Sequence, residues 1–267
     1  MKRATRILTK HQDDVTAALD RFGDHEDMSE ARVVRWLEQF RDSDIALAVQ
    51  IVRAVRYLNA ANLRAMTKQF FQIAIDELRD QGHERVVFLP VGDAGSGSST
   101  VARVLRERVK GTRHQMLSMV DLINVTPGSI GAIVFVDDFS GTGMTLEEWW
   151  KRVEALVLPT GATVFVGLLV LNGQARGRIE QFADVVAVEE LDISDNVFSD
   201  QNNQFSAEQK VKLLEYCQRT GCGPDFERGF GNCGLLLAFK HGCPNNSLPV
   251  LWYSKNNWRP FFNRRAI

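Results

Sequence analysis

Two aspartates stand at the end of an apolar run, and a loop of glycine and hydroxyl residues follows them. Residues 134–145 read VFVDDFSGTGMT. Asp137 and Asp138 offer an all-oxygen donor set, suited to a divalent cation or to sugar hydroxyls. Two ionised carboxylates at one strand end repel each other, so the pair needs compensation. Neighbouring strand side chains point to opposite faces, so regular strand geometry keeps the two acids from gripping one small ion together. They would instead flank an extended polyol, with a magnesium ion held by Asp137 or Asp138 as part of the expected site. The loop that follows, Ser140, Gly141, Thr142, Gly143, Met144 and Thr145, offers backbone N–H groups and hydroxyls at the start of a helix. A second loop, LPVGDAGSGSST at 89–100, has the same character and supplies Gly92, Asp93, Gly95, Ser96, Gly97, Ser98 and Ser99. One such loop is an ordinary turn after a strand. Two of them, one carrying paired acids, imply a ligand with an anion at each end and hydroxyls between. The alternative is a turn capped by Asp138 with Asp137 paired to a nearby Lys or Arg.

These loops need strands before them and helices behind them. RVVFLPV at 85–91, AIVFV at 132–136, ATVFVGLLVL at 162–171 and DVVAV at 184–188 are apolar without alternation, as in strands buried on both faces of a mostly parallel sheet. Between them, Val101, Val104, Leu105 and Val109 form one helical stripe, and Leu146, Trp150, Val153 and Val157 another. Alternation of strand and helix predicts an α/β fold whose ligands sit beyond the carboxyl ends of the strands. Residues 1–82 read as three or four helices, among them SEARVVRWLEQF with its Ser29 cap, DIALAVQIVRAVRYL and LRAMTKQFFQIAIDEL. They read as a scaffold or as the face of a homodimer. DISDNVFSDQNNQF at 192–205 reads as a loop, and a helix with a Ser206–Gln209 capping box follows and stops near Gly221. The expected division is a helical region at 1–82, an α/β core at 83–191 and an extension packed on the core at 192–267.

Bulk properties narrow the function. The 267 residues carry 32 basic and 33 acidic side chains, a net charge of -1, so charge gives no indication of nucleic-acid binding. The first residues lack the apolar centre of a signal peptide, and no apolar run has the length of a membrane span, so the chain reads as soluble and cytoplasmic, with no membrane partner. Cys217, Cys222, Cys233 and Cys243 have no CxxC spacing. They read as buried thiols in a reducing compartment, with a zinc site near His241 as the alternative.

VFVDDFSGTGMT resembles, position by position, the phosphoribosyl pyrophosphate (PRPP) motif of type I phosphoribosyltransferases. The resemblance covers about residues 84–190, against the size of one such α/β unit. It implies a phosphoribosyltransferase-like fold: a central, mostly parallel sheet flanked by helices, an N-terminal helical region and a C-terminal hood. It implies that Asp137 and Asp138 contact the ribose 2′ and 3′ hydroxyls, with Mg2+ as cofactor. Residues 140–145 would bind the 5′-phosphate, and Gly92 to Ser99 the pyrophosphate. The reaction implied is transfer of phosphoribosyl to an unidentified acceptor nitrogen, by electrostatic stabilisation and positioning. The C-terminal GFGNCGLLLAFKHGCPNNSLPVLW and WRPFF are similar to phosphoribosyltransferase-like proteins found beside bacterial conflict and antiphage genes.

The chain departs from that pattern in places. Gly141 stands where some purine-transferring members carry an Asp that contacts the base. The 92–99 loop has no Lys or Arg, and Asp93 adds negative charge. Lys110, Arg113, Arg176 and Arg178 are the candidate cations, with solvated surface charge as the alternative. Trp252, Tyr253 and Trp258 are candidates to stack on a base, with the core as the alternative. Three other readings follow. One is a non-catalytic regulator that senses PRPP or a nucleotide. Another is a bacterial antiphage effector with a protein partner from its operon. The third is a degenerate nucleotide triphosphatase, with GxxxxG at 92–97 but Ser98 in place of the lysine.

Overall fold

The protein is described by a computed structural model that covers residues 3–92 and 97–264. It forms two compact units, Met1–Ala60 with Ile193–Ile267, and Ala61–Asp192. The first unit opens with helices α1 (Arg3–Lys10), α2 (Gln12–Phe22), α3 (Glu30–Leu37) and α4 (Ile45–Ala54), then strand β1 (Arg56–Leu58). Ser29 caps α3 through the Arg32 N–H at 3.3 Å, as the sequence predicts. The helical reading of 44–58 fails at its end. Val55 leaves the helix at ψ 123° and starts an extended segment, and Arg56, Tyr57 and Leu58 pair in parallel with Leu237, Ala238 and Phe239. The partner strand lies far along the chain, so no local periodicity announces it.

The second unit carries the sheet. Helix α5 (Ala60–Asp80) leads to β2 (Val86–Pro90), α6 (Gly97–Val109), β3 (Gln115–Met116), β4 (Ala132–Ser140), α7 (Met144–Val157), β5 (Thr163–Asn172), α8 (Gly173–Ile179) and β6 (Asp184–Leu191). All five strands are parallel, in the order β3-β2-β4-β5-β6. This is the α/β architecture that the apolar runs predict, with the two-residue β3 added at one edge. Val86 to Leu89, Ala132 to Val136 and Phe165 to Leu171 are all buried, as befits strands covered on both faces. On one face, Leu146, Trp150, Val153 and Val157 of α7 pack with Phe135, Val166 and Leu168. On the other, the Phe70 ring of α5 rests on Gly167, where a Cβ would lie 2.2 Å from its Cζ.

The first unit is completed by α9 (Ala207–Arg219), β7 (Leu237–Phe239) and the short α10 (Pro249–Trp252). The Ser206–Gln209 capping box is formed in both directions, at 3.2 and 2.8 Å. Trp36, Phe40, Phe22, Phe261 and Phe262 share the core of this unit. Among the described residues, no helix is long and apolar enough to cross a membrane.

Candidate functional site

The strand order creates the site. After β2 the chain turns through α6 to β3 on one side, and after β4 it turns through α7 to β5 on the other. The connections diverge, so a crevice opens between the carboxyl ends of β2 and β4, the usual place for a ligand in such sheets. The Val91 N–H donates to the Val136 carbonyl at 3.0 Å and carries the pairing up to that point. Asp137 and Asp138 are the next residues of β4, and Gly92, with φ +75°, turns the chain out of β2. Asp93, Gly95 and Ser96 lie outside the described residues.

The two acids face the start of α6. Asp137 accepts the Asp138 N–H at 2.9 Å, which turns its carboxylate along its own chain. It also accepts the Ser98 N–H. Asp138 is 8% exposed, and its carboxylate lies where a side chain on Gly97 would be, 2.3 Å from the Cβ position. The two carboxyl groups therefore meet, contrary to the expectation that they point to opposite faces. Burial, then the Asp138 charge, then a hydrogen bond shared with Asp138 push the Asp137 carboxyl well above the ordinary carboxylate range; the two backbone N–H groups oppose this. Ser98 ties the corner together. Its hydroxyl donates to the Val91 carbonyl at 2.6 Å, so that oxygen faces the loop's own backbone. Ser99 is half-buried one residue further on.

Beyond the acids, Ser140 closes β4, and Gly141, Thr142 and Gly143 form the turn into α7. Gly143 holds the cap position of α7 at φ +75° and supplies no side-chain cap. Thr142 is half-buried, and Met144 and Thr145 are exposed in the first turn. The structure brings 140–145 into one strand-to-helix turn with the N-terminus of α7 at its base, an arrangement suited to an anion.

The candidate cations divide by partner. The Arg176 guanidinium is held by Glu190 at 2.6 Å and Glu180 at 3.1 Å. Arg113 pairs with Glu84 at 3.3 Å. Lys110 is exposed just past the end of α6. Arg178 is the one whose stem packs on Gly143, and it bonds Glu147 in the first turn of α7 at 2.8 Å. Glu147 is a residue that sequence reading passed over, because an acid in a first helical turn is unremarkable on its own. In the other unit, Trp252 and Trp258 are core residues rather than open stacking surfaces: their indole N–H groups donate to the Ser247 and Val250 carbonyls at 2.8 and 3.0 Å. All four cysteines are buried and none is in a disulfide, and burial raises the thiols of Cys217, Cys222 and Cys243. Among the described residues, no group of three or more His, Cys, Asp or Glu side chains is placed to hold a metal ion.

The PRTase-CE family model matches residues 33–264. The chain belongs to the PRTase-CE family. This membership takes in both units and makes the chain phosphoribosyltransferase-like, as the motif predicts. No curated protein matches the sequence. Among solved structures, the PRTase-CE chain is similar to hypoxanthine-guanine phosphoribosyltransferase from Schistosoma mansoni in complex with IMP. That likeness has 15% identity and a TM-score of 0.35, over 51% of this chain and 65% of that one, just under two thirds of its length. Orotate phosphoribosyltransferase from Aeropyrum pernix is similar at 18% identity and TM-score 0.32, over 49% of this chain and 71% of that one. The HGPRT-ase from Leishmania tarentolae in complex with GMP is similar at 12% identity and TM-score 0.32, over 52% and 83%.

Proposed function

We propose that this protein binds phosphoribosyl pyrophosphate with Mg2+ and transfers the phosphoribosyl group to an acceptor nitrogen. One observation carries the reading: a pair of adjoining carboxylates sits between two strand-to-helix turns, at the point where the strand connections diverge. That spacing suits a ligand with ribose hydroxyls in the middle and a phosphate group at each end. Asp137 and Asp138 accept the 2′ and 3′ hydroxyls. The N–H groups at 141–145, with the Thr142 and Thr145 hydroxyls, hold the 5′-phosphate. Gly92, Gly97, Ser98 and Ser99, at the described ends of the first loop, are assigned to the pyrophosphate.

The donor set fits a magnesium ion. The two carboxylates are hard oxygen ligands, and a cation offsets both the burial and the mutual repulsion that raise the Asp137 carboxyl. Two carboxylates are a partial shell, as Mg2+ requires when substrate oxygens and water complete it. When bound, Mg2+ neutralises negative charge on the pyrophosphate. The chain's own residues orient the ribose so that the bond from C1 to the pyrophosphate oxygen breaks as the acceptor nitrogen bonds C1. Pyrophosphate leaves with the electron pair, and the acceptor gives up a proton.

A second reading, a regulator that binds PRPP without turnover, is favoured by two features. Gly141 provides no base-directed acid, and Arg113 and Arg176 are engaged by carboxylates. Calorimetric titration with PRPP, with and without Mg2+, tests both readings. The expected result is magnesium-dependent binding, weakened at least tenfold in Asp137→Asn, Asp138→Asn, since two charged hydrogen-bond acceptors are lost. Absence of binding to the wild type would sink the PRPP reading. Binding with no pyrophosphate release across candidate acceptor bases would favour the regulator.

A further inference from the structure

We propose that Arg178 binds the 5′-phosphate of the ligand at the 140–145 turn and that Glu147 competes for its guanidinium until the phosphate arrives. This rests on the reading of that turn as the phosphate site. Arg178 lies in the last turn of α8. A Cβ on Gly143 would lie 3.2 Å from both its Cβ and its Cδ, so the aliphatic stem of Arg178 runs against the residue that starts α7. The guanidinium carbon is two bonds beyond that Cδ, so the charge lies within reach of the turn into α7 while it bonds Glu147.

The head group is held loosely. Arg178 Nη1 donates to Glu147 Oε2 at 2.8 Å, its single hydrogen bond among the described residues. A guanidinium has five donors, so most of its capacity is uncommitted. Arg176, two residues earlier, is gripped through three bonds to Glu190 and one to Glu180. The side chain of Arg178 is 43% exposed and that of Glu147 25%. Both can therefore rearrange without uncovering the core.

The charges around the turn have a purpose under this arrangement. Glu147 also pairs with Lys151 at 2.6 Å, so one carboxylate lies between two cations and the trio carries one net positive charge. A carboxylate in the first turn of a helix takes the same favourable end of the dipole that a phosphate would. It repels an arriving phosphate, and Arg178 offsets that repulsion once its guanidinium turns from Glu147 to the ligand. Planar paired N–H donors suit two oxygens of one phosphate. The turn then selects a dianionic phosphomonoester over a neutral sugar, with Arg178 as the selecting charge.

Titration with ribose 5-phosphate tests this without involving the pyrophosphate loop. Arg178→Gln is expected to weaken binding by on the order of tenfold, the loss of one charge-assisted hydrogen bond. Arg178→Lys keeps part of the affinity, and Glu147→Gln strengthens binding a few fold by freeing the arginine and removing the repulsion. Thermal melting of each variant establishes that it is folded. Wild-type affinity in Arg178→Gln overturns the inference alone. Equal weakening in Arg178→Gln and Glu147→Gln also overturns it, because the pair would then be a structural brace. Failure of the wild type to bind ribose 5-phosphate removes the phosphate reading of the turn, and this inference with it.

Discussion

Gly97 has no side chain, and the Asp138 carboxylate fills the space one would need. A methyl group there would lie 2.3 Å from Oδ1 and 2.4 Å from both Cγ and Oδ2, so Gly97→Ala must displace either the carboxylate or the start of α6. Either shift pulls the Ser98 N–H from Asp137 and loosens the corner where both acids are held. PRPP binding in Gly97→Ala is expected to fall at least tenfold, with about 1–3 kcal/mol lost from stability, the usual cost of such crowding. Calorimetry beside thermal melting reads both; unchanged affinity would show that Asp138 is not held for the ligand. The residue types at 137–145 mark a candidate site in the sequence. The meeting of the two acids is not. Alternation along a strand fixes where each Cβ points, but Asp137 then turns its carboxylate along the chain to its neighbour's N–H. The contact with Gly97 joins segments 41 positions apart, so no spacing rule reports it.

At the scale of elements, the site depends on how firmly α5 and α7 clamp the sheet. Phe70 of α5 is fully buried and covers Gly167 in the middle of β5. Phe70→Ala removes that cover and leaves a cavity against a bare strand, so a loss of about 3–5 kcal/mol is expected in urea denaturation. A loss below about 1 kcal/mol would mean that α5 settles onto the glycine and closes the gap. Strands β2, β4, β5 and β6 are legible because continuous apolar runs have few other uses. The pairs α6 with β2 and α7 with β4 are legible because glycine turns separate run from stripe. Strand β1 is not legible: Val49, Val52 and Val55 keep helical spacing to the edge of Arg56. What ends the helix there is pairing with β7, seen in the Arg56 N–H donating to the Leu236 carbonyl at 2.7 Å. Tertiary pairing overrides local pattern at that point.

For the molecule as a whole, the two ends of the chain build one unit. Expected boundaries near residues 82 and 191 follow sequence order, whereas contacts join residues 1–60 to 193–267. That joining is invisible to periodicity because its bonds span most of the chain: the Trp36 indole N–H donates to the Val250 carbonyl at 2.8 Å, and Arg32 Nε to that of Phe261 at 2.8 Å. His25 shows how such a junction responds to pH. It is 4% exposed. Its Nδ1 donates to the Lys240 carbonyl at 3.1 Å while its Nε2 accepts the Asn263 N–H at 3.1 Å. Accepting at Nε2 requires a neutral ring. Burial first, then the Arg32 charge, lower its pKa, against the Lys240 carbonyl and the charges of Asp24 and Glu26. The unfolded histidine titrates near its ordinary value of about 6.5. Above that value both states are neutral and His25 adds no pH dependence. Below it the unfolded chain takes up a proton that the folded ring resists, so stability falls as pH drops through and below about 6.5 toward the folded pKa. Urea denaturation followed by tryptophan fluorescence at about pH 7.5, 6.5 and 5.5 is expected to show this decline. His25→Gln has no proton to gain there, so its decline should be shallower than that of the wild type. Parallel slopes in the two proteins would assign the acid sensitivity to another group and leave His25 as a neutral strut.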